Sequence, residues 1–166
     1  MKKENEIKTN AMRYLDNKKI PYRSHTYECE EFIDGITTAH LLGIPLDHAY
    51  KTLVTVSKSK QYYVFVLPVD RELDLKKAAR TVGEKGLEMI HVKDINHVTG
   101  YVRGGCTPLA MKKKFPTIIE KEASTLSFMM ISGGRLGSQI ELKPDDLILA
   151  TSGKYADIVK ENHSNE

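Results

Sequence analysis

The sequence predicts a mixed α/β domain in which a curved, barrel-like sheet is flanked by helices. Helical and strand patterns alternate along the 166 residues, but without the regular strand–helix–strand rhythm of a doubly wound sheet. The two strongest strands also adjoin. Lys51–Ser57 and Tyr62–Leu67 are rich in β-branched and aromatic residues, and polar Lys58–Gln61 joins them as a hairpin. No internal repeat or low-complexity linker divides the chain, and its length suits one domain over residues 1–166.

From the N-terminus, Ile7, Ala11, Met12 and Leu15 fall on one face of a helix that ends near Asn17–Lys19, before Pro21. Tyr22–Tyr27 follows as a strand. Asp34 caps a second helix with apolar positions Ile36, Ala39 and Leu42, stopped by Gly43 and Pro45. After the hairpin, Asp74 caps a helix through Leu75, Ala78, Ala79 and Val82, with Gly83 just past its end. Short strands are expected at Leu87–His91, Thr117–Glu120, Phe128–Ser132 and Gln139–Leu142, and a last capped helix near Asp145.

Composition excludes several classes. With 40% hydrophobic and 28% charged residues, the chain is not intrinsically disordered. A chain of this length buries about 70% of its unfolded surface, so it needs no staples. Its two cysteines, Cys29 and Cys106, are too few for a disulfide framework. The longest apolar run, Tyr62–Leu67, is far short of the roughly 18–20 residues that span a bilayer. Met1–Glu6 leads into no apolar segment, so neither a signal peptide nor a membrane partner is expected. A reduced, cytoplasmic setting follows. The net charge of +3 does not by itself indicate nucleic-acid binding. The one basic run, Lys112-Lys113-Lys114, is either a solvated turn or a set of phosphate contacts.

Familiar catalytic templates fail in turn. There is no Walker loop, no HExxH, no GxSxG and no paired CxxC. His25, His40, His48, His91, His97 and His163 lack metal-ligand spacing, so no metal or other cofactor is expected. Two segments remain. Arg103-Gly104-Gly105-Cys106-Thr107-Pro108 is either a tight turn or a loop that aims successive N–H groups at one point, as a carbonyl or oxyanion site requires. Cys106 within it is either a small turn residue or a nucleophile in need of a base. Lys51 opens a largely apolar strand and shares a face with Leu53 and Thr55, opposite Thr52, Val54 and Val56. It either marks the wet end of the strand or projects a cation into a pocket, towards phosphate or developing negative charge.

In order and spacing, the chain resembles the YbaK/EbsC proteins, free-standing relatives of the editing insertion domain of bacterial prolyl-tRNA synthetases. The matching segments are Lys8-Thr-Asn-Ala-Met-Arg13, His25-Thr-Tyr-Glu28, Tyr50-Lys-Thr-Leu-Val54 and Leu73-Asp-Leu-Lys-Lys-Ala-Ala79. They continue through Gly100-Tyr-Val-Arg-Gly-Gly-Cys-Thr-Pro108, Lys112–Thr117, Ile131-Ser-Gly-Gly-Arg135 and the Asp146-Leu147 pair.

The resemblance implies a barrel-like mixed sheet and a cytoplasmic trans-editing deacylase that removes cysteine mischarged onto tRNA(Pro), with Cys-tRNA(Cys) as a further substrate. The family's essential lysine falls on Lys51 and its GxxxP loop on Gly104–Pro108, giving Lys51, Gly104 and Gly105 as catalytic candidates. Tyr27, Cys106, Thr107, Pro108, Ser132 and Gly133 are the implied substrate-binding residues, and Lys112, Lys113 and Lys114 the implied tRNA contacts. Partners on this view are the aminoacylated 3′ end of tRNA and, as a second candidate, prolyl-tRNA synthetase. Lys51-Thr-Leu-Val54, in place of a lysine followed by Asn-Leu-Phe, points to the cysteine-specific rather than the alanine-specific branch. Cys106 stands where many members carry isoleucine, Ser138 where some carry aspartate, and Gly134-Arg-Leu-Gly137 departs from the usual Lys-Arg-Gly pattern. Three other readings compete: a non-catalytic tRNA- or synthetase-binding module, a deacylase of other small aminoacyl esters, and a thiol hydrolase that uses Cys106.

Overall fold

The computed structural model describes residues 8–161, so Ile7 and His163 lie outside the described residues. Helix α1 (Asn10–Asn17) is capped by the Thr9 hydroxyl and buries Ala11, Met12 and Leu15, the face its spacing predicts. Strand β1 (Arg23–Thr26) follows, then α2 (Gly35–Leu42), opened by Asp34 and closed by Gly43. Strands β2 (Tyr50–Val56) and β3 (Tyr62–Pro68) form the expected hairpin in continuous antiparallel register. Helix α3 (Leu75–Val82) starts at Asp74, whose carboxylate accepts from the Lys76 and Lys77 amides. The second half contains β4 (Glu88–Met89), α4 (Ile95–Thr99), β5 (Thr117–Glu120), β6 (Met129–Ser132), β7 (Ser138–Leu142), α5 (Pro144–Thr151) and β8 (Lys154–Ala156).

The strands form two sheets. One is antiparallel, in the order β1-β7-β6; the other is mixed, in the order β4-β2-β3-β5-β8, with β3–β5 and β5–β8 parallel. A bridge from Ala49 to Met130 joins them at the start of β2. The joined sheets curve around a core in which Leu15 of α1 and Leu147 of α5 meet Met129, Ile131 and Ile140. Strand β3 is covered on both faces. Val64 and Val66 enter this core, while Phe65 and Leu67 pack with Ala78 of α3 and Ile158 in a second cluster. That double burial is why Tyr62–Leu67 reads as an unbroken apolar run rather than an alternating one.

Three expectations are corrected. The last helix begins at Pro144, near Asp145 as expected, but without a side-chain cap: Lys143 is the cap residue and makes no side-chain bond, and Asp145 accepts from the Tyr155 hydroxyl at 2.7 Å. A proline needs no N–H partner at a helix start, so the helix begins there without a polar cap. On α2 it is Thr38 and Ala39 that are buried, while Ile36 is exposed. The strand expected over Leu87–His91 is shorter, because only Glu88 and Met89 pair, with Val56 and Thr55.

Glu120 pins the β8 edge. It is 1% exposed, and its carboxylate accepts from the Ile158 N–H at 2.9 Å and the Glu122 N–H at 3.2 Å. Burial pushes this carboxyl above the usual range; the two N–H groups pull it back, and the charges of Glu122 and Asp157 push it further up. A folded-state pKa above the unfolded value means that its stabilisation is complete at low pH and is lost as pH rises through the folded value. Glu120→Gln keeps an acceptor for Ile158 and carries no charge. Its melting temperature relative to wild type is therefore expected to climb between about pH 4 and about pH 8, a range bracketing a raised carboxyl. Thermal unfolding at the two ends checks this, and a pH-independent difference would contradict it.

Candidate active site

The antiparallel alternation of β2 leaves part of its backbone unpaired. The Val69 N–H donates to the Ala49 carbonyl and the Ser57 N–H to the Gln61 carbonyl, both at 2.9 Å, so the odd-numbered residues between them bond to β3. The even-numbered residues face the other edge. There β4 pairs with Thr55 and Val56, the Ile90 N–H just after it donates to the Val54 carbonyl at 3.1 Å, and β6 is bridged through Met130 to Ala49. Between these contacts the backbone of Thr52 looks into a cleft of about 430 Å³. Its lining combines apolar side chains, from Ile36, Ile90, Val92, Ile95 and Met130, with Lys51, Gly104, Cys106, Ser132 and Gln139.

Lys51 is half-buried, and its ammonium donates to the Val69 carbonyl at 3.4 Å. Burial lowers its pKa below the ordinary lysine value, and the charges of Glu72 and Asp70 pull it partly back. Among the described residues no carboxylate forms an ion pair with it. The strand thus holds a cation at the cleft that Glu72 and Asp70 influence from a distance but with which, among the described residues, no carboxylate is in contact.

The loop after α4 forms the second side. Gly104 has φ +87°, and a Cβ there would come within 2.8 Å of both Phe32 and Leu136, so the position requires glycine. Gly105 is different from expectation. Its amide donates to the Val102 carbonyl at 2.9 Å, and a Cβ would sit 2.8 Å from the Arg135 Cα. Gly105 therefore lets two backbones approach and does not offer a free donor. Among the described residues the amides of Arg103, Gly104, Cys106 and Thr107 have no acceptor; Gly104 and Cys106, which line the cleft, are two of the donors the loop leaves available there. Thr107 and Pro108 are buried and do not line the cleft. Burial pushes the Cys106 thiol up to about 12, against a hydrogen bond with Thr99 that pulls it down, so it stays protonated near neutrality.

The turn after β6 is the third component. Ser132 lines the cleft, and its hydroxyl accepts from the Gly134 N–H at 3.2 Å. Gly133 lies behind it, donating to the Ser138 carbonyl and accepting from the Thr9 hydroxyl at 2.6 Å, which ties the turn to the start of α1. Ser138 is buried, and among the described residues its hydroxyl has no partner. Tyr27 is not part of the cleft wall; its hydroxyl accepts from Gln139, which is, at 3.4 Å. Lys112, Lys113 and Lys114 line a separate groove.

Sequence reasoning missed the rim. The Arg103 guanidinium lies 4.1 Å from the centre of the Phe32 ring, and both residues border the cleft. Phe32 is 41% exposed and sits in an acidic loop whose pattern gives no helix or strand signal. Asp34, also in the lining, is occupied in capping α2 through the Thr37 amide, which holds its carboxyl below the usual range. Among the described residues no group of three or more His, Cys, Asp or Glu side chains could hold a metal ion, and no helix is long and apolar enough to cross a membrane.

Known proteins share this architecture. The crystal structure of a hypothetical protein superposes with a TM-score of 0.84 at 20% identity, covering 92% of this chain and 100% of the other. A second, provisionally described as a trans-editing enzyme for prolyl-tRNA synthetase, gives a TM-score of 0.82 at 21% identity, covering 94% and 100%. In sequence, an Enterococcus faecalis V583 protein provisionally named Cys-tRNA(Pro)/Cys-tRNA(Cys) deacylase EbsC is 43% identical over 158 residues, 95% of this chain and 96% of the other. Residues 34–149 match the model of the aminoacyl-tRNA editing domain, and they include both Lys51 and the Gly104–Pro108 loop. The chain belongs to the aminoacyl-tRNA editing domain family.

Proposed function

We propose that this protein is an aminoacyl-tRNA deacylase that clears cysteine from mischarged tRNA(Pro) and also accepts Cys-tRNA(Cys). Near-full-length similarity to the enterococcal protein carries the substrate assignment. The cleft supplies what the reaction needs. Ester cleavage requires a nucleophile at the carbonyl and donors for the charge that develops on its oxygen. The Gly104 and Cys106 amides are suited to the second task. Lys51 is suited to holding the terminal ribose-phosphate or to offsetting charge beside the ester.

Among the described residues, the thiol and the carboxylate that line the cleft do not fit the first task. The Cys106 thiol is held neutral and Asp34 is bound in its helix cap. The substrate's own sulfur is the remaining candidate. Its thiolate attacks the ester carbonyl, the carbon–oxygen bond to the ribose breaks, and the 3′ oxygen takes a proton as a thiolactone departs. Ester loss from Cys-tRNA(Pro) mixed with the purified protein tests the proposal; a folded protein that binds tRNA without accelerating ester loss would instead be a binding module.

Cys106→Ala is expected to retain at least about a third of the wild-type rate, a change of under ~1 kcal/mol. Complete inactivation of a folded Cys106→Ala protein, read in the same assay, would restore a thiol-dependent mechanism.

A further inference from the structure

The groove that holds Lys112, Lys113 and Lys114 also draws Lys60 from the tip of the β2–β3 hairpin, far away in sequence. Its volume is about 440 Å³, and no carboxylate lines it. Four ammonium groups thus share one surface, more than the net +3 of the whole chain. Two of them are positioned by neutral acceptors, Lys112 by the His97 carbonyl at 3.2 Å and Lys114 by the Ser152 hydroxyl at 3.0 Å. Such contacts fix a charge without cancelling it. Elsewhere Lys8, Arg71, Lys77 and Lys160 each pair with an acidic side chain, whereas among the described residues none of the four groove lysines does. Between the lysines, Tyr62 and Phe115 meet edge to face at 5.6 Å, and both line the groove.

We infer that this groove binds an RNA sugar–phosphate backbone, with the lysines on successive phosphates and the Tyr62–Phe115 pair beneath a ribose or base. Spread ammonium charges match a linear polyanion better than a single small anion, and an aromatic floor between them is what nucleic-acid strands use without sequence preference. The groove is also within reach of the cleft. The segment from Gly104 to Lys112 can span at most about 29 Å even when extended, so one substrate can place its ester at Gly104 and its adjoining strand here. The inference rests on tRNA as the substrate and specifies where its body is held.

Binding of uncharged tRNA, followed by fluorescence anisotropy from about 50 to about 200 mM salt, tests it. The triple variant Lys112→Gln, Lys113→Gln, Lys114→Gln is expected to lose about tenfold or more in affinity, with the log–log salt slope falling by about 2–3; Lys60→Gln should lower the slope by about 1. An unchanged slope in the triple variant overturns the groove. So does an effect of the triple variant with Lys60→Gln silent, because the site would then be the lysine run alone. Lysine-dependent binding to anionic phospholipid vesicles, with tRNA binding unaffected, also overturns it. Deacylation of Cys-tRNA and of a cysteinyl ester of adenosine separates this inference from the proposed function. The triple variant should lose kcat/KM only on the tRNA. Wild type that cleaves neither ester but binds tRNA through the lysines refutes the deacylase and keeps the groove; cleavage of both with lysine-independent binding does the reverse.

Discussion

Lys51→Ala is expected to lower the rate of Cys-tRNA deacylation by at least about a hundredfold, a loss of ~2.7 kcal/mol in transition-state stabilisation. The side chain is half-buried at the cleft, its ammonium has one neutral backbone acceptor at 3.4 Å, and no carboxylate pairs with it among the described residues. A partly desolvated charge without a counter-ion weakens the free protein and strengthens whatever complex brings it an anion. The lowered pKa states the same fact as a titration. Removing the charge should therefore leave the fold intact. Lys51 sits opposite Leu67 in the β2–β3 register, and that pairing depends on backbone groups that alanine keeps. Circular dichroism and a melting temperature at or above wild type would establish this. A folded variant that keeps more than about a third of the wild-type rate, ~0.7 kcal/mol, would remove Lys51 from the machinery.

Local signals carried most of the fold into the sequence. Thr117–Glu120 forms a strand with the bounds its composition suggests, and Asp34, Asp74, Gly43 and Gly83 mark helix ends as their chemistry requires. What stayed hidden depends on partners distant in the chain. Strand β8 is three residues long, and among the described residues it pairs with β5 alone, in parallel, so nothing in Lys154–Ala156 announces it. Helix α4 is five residues long and buries only Val98 and Thr99, too little for a period to show. The site divides the same way. Lys51 and the glycine loop were visible as residue types in unusual places. The use of the Gly105 amide within its own turn was not, nor was Phe32 over Gly104, because both follow from how loops meet. Lys60 could not be joined to Lys112–Lys114 without the hairpin that carries it there.

The substrate's sulfur should decide the chemistry. Cys-tRNA is expected to be deacylated at least about tenfold faster than Ser-tRNA made on the same tRNA body, ~1.4 kcal/mol or more in favour of the thiol. The side chains at the cleft leave little alternative. Cys106 is held protonated by burial, the Asp34 carboxylate is engaged with the Thr37 amide, and the Ser132 hydroxyl accepts from Gly134 with no base beside it among the described residues. A free thiol with a pKa near 8.5 is a few per cent ionised at about pH 7, and its thiolate is a strong nucleophile, whereas a serine hydroxyl is essentially un-ionised. Backbone donors at Gly104 and Cys106 would stabilise the same carbonyl oxygen for either ester, so they do not discriminate. A protein base or an activated water would have no need of sulfur and would cleave the two esters alike. Holding the tRNA constant cancels every contact along its body, including those in the lysine groove, and leaves sulfur against oxygen as the only difference. Equal rates would refute substrate assistance. The nucleophile would then have to be a water held in the cleft, with the Thr52 backbone edge, unpaired among the described residues between the Ala49–Met130 bridge and the Ile90–Val54 hydrogen bond, as the place to look for what holds it.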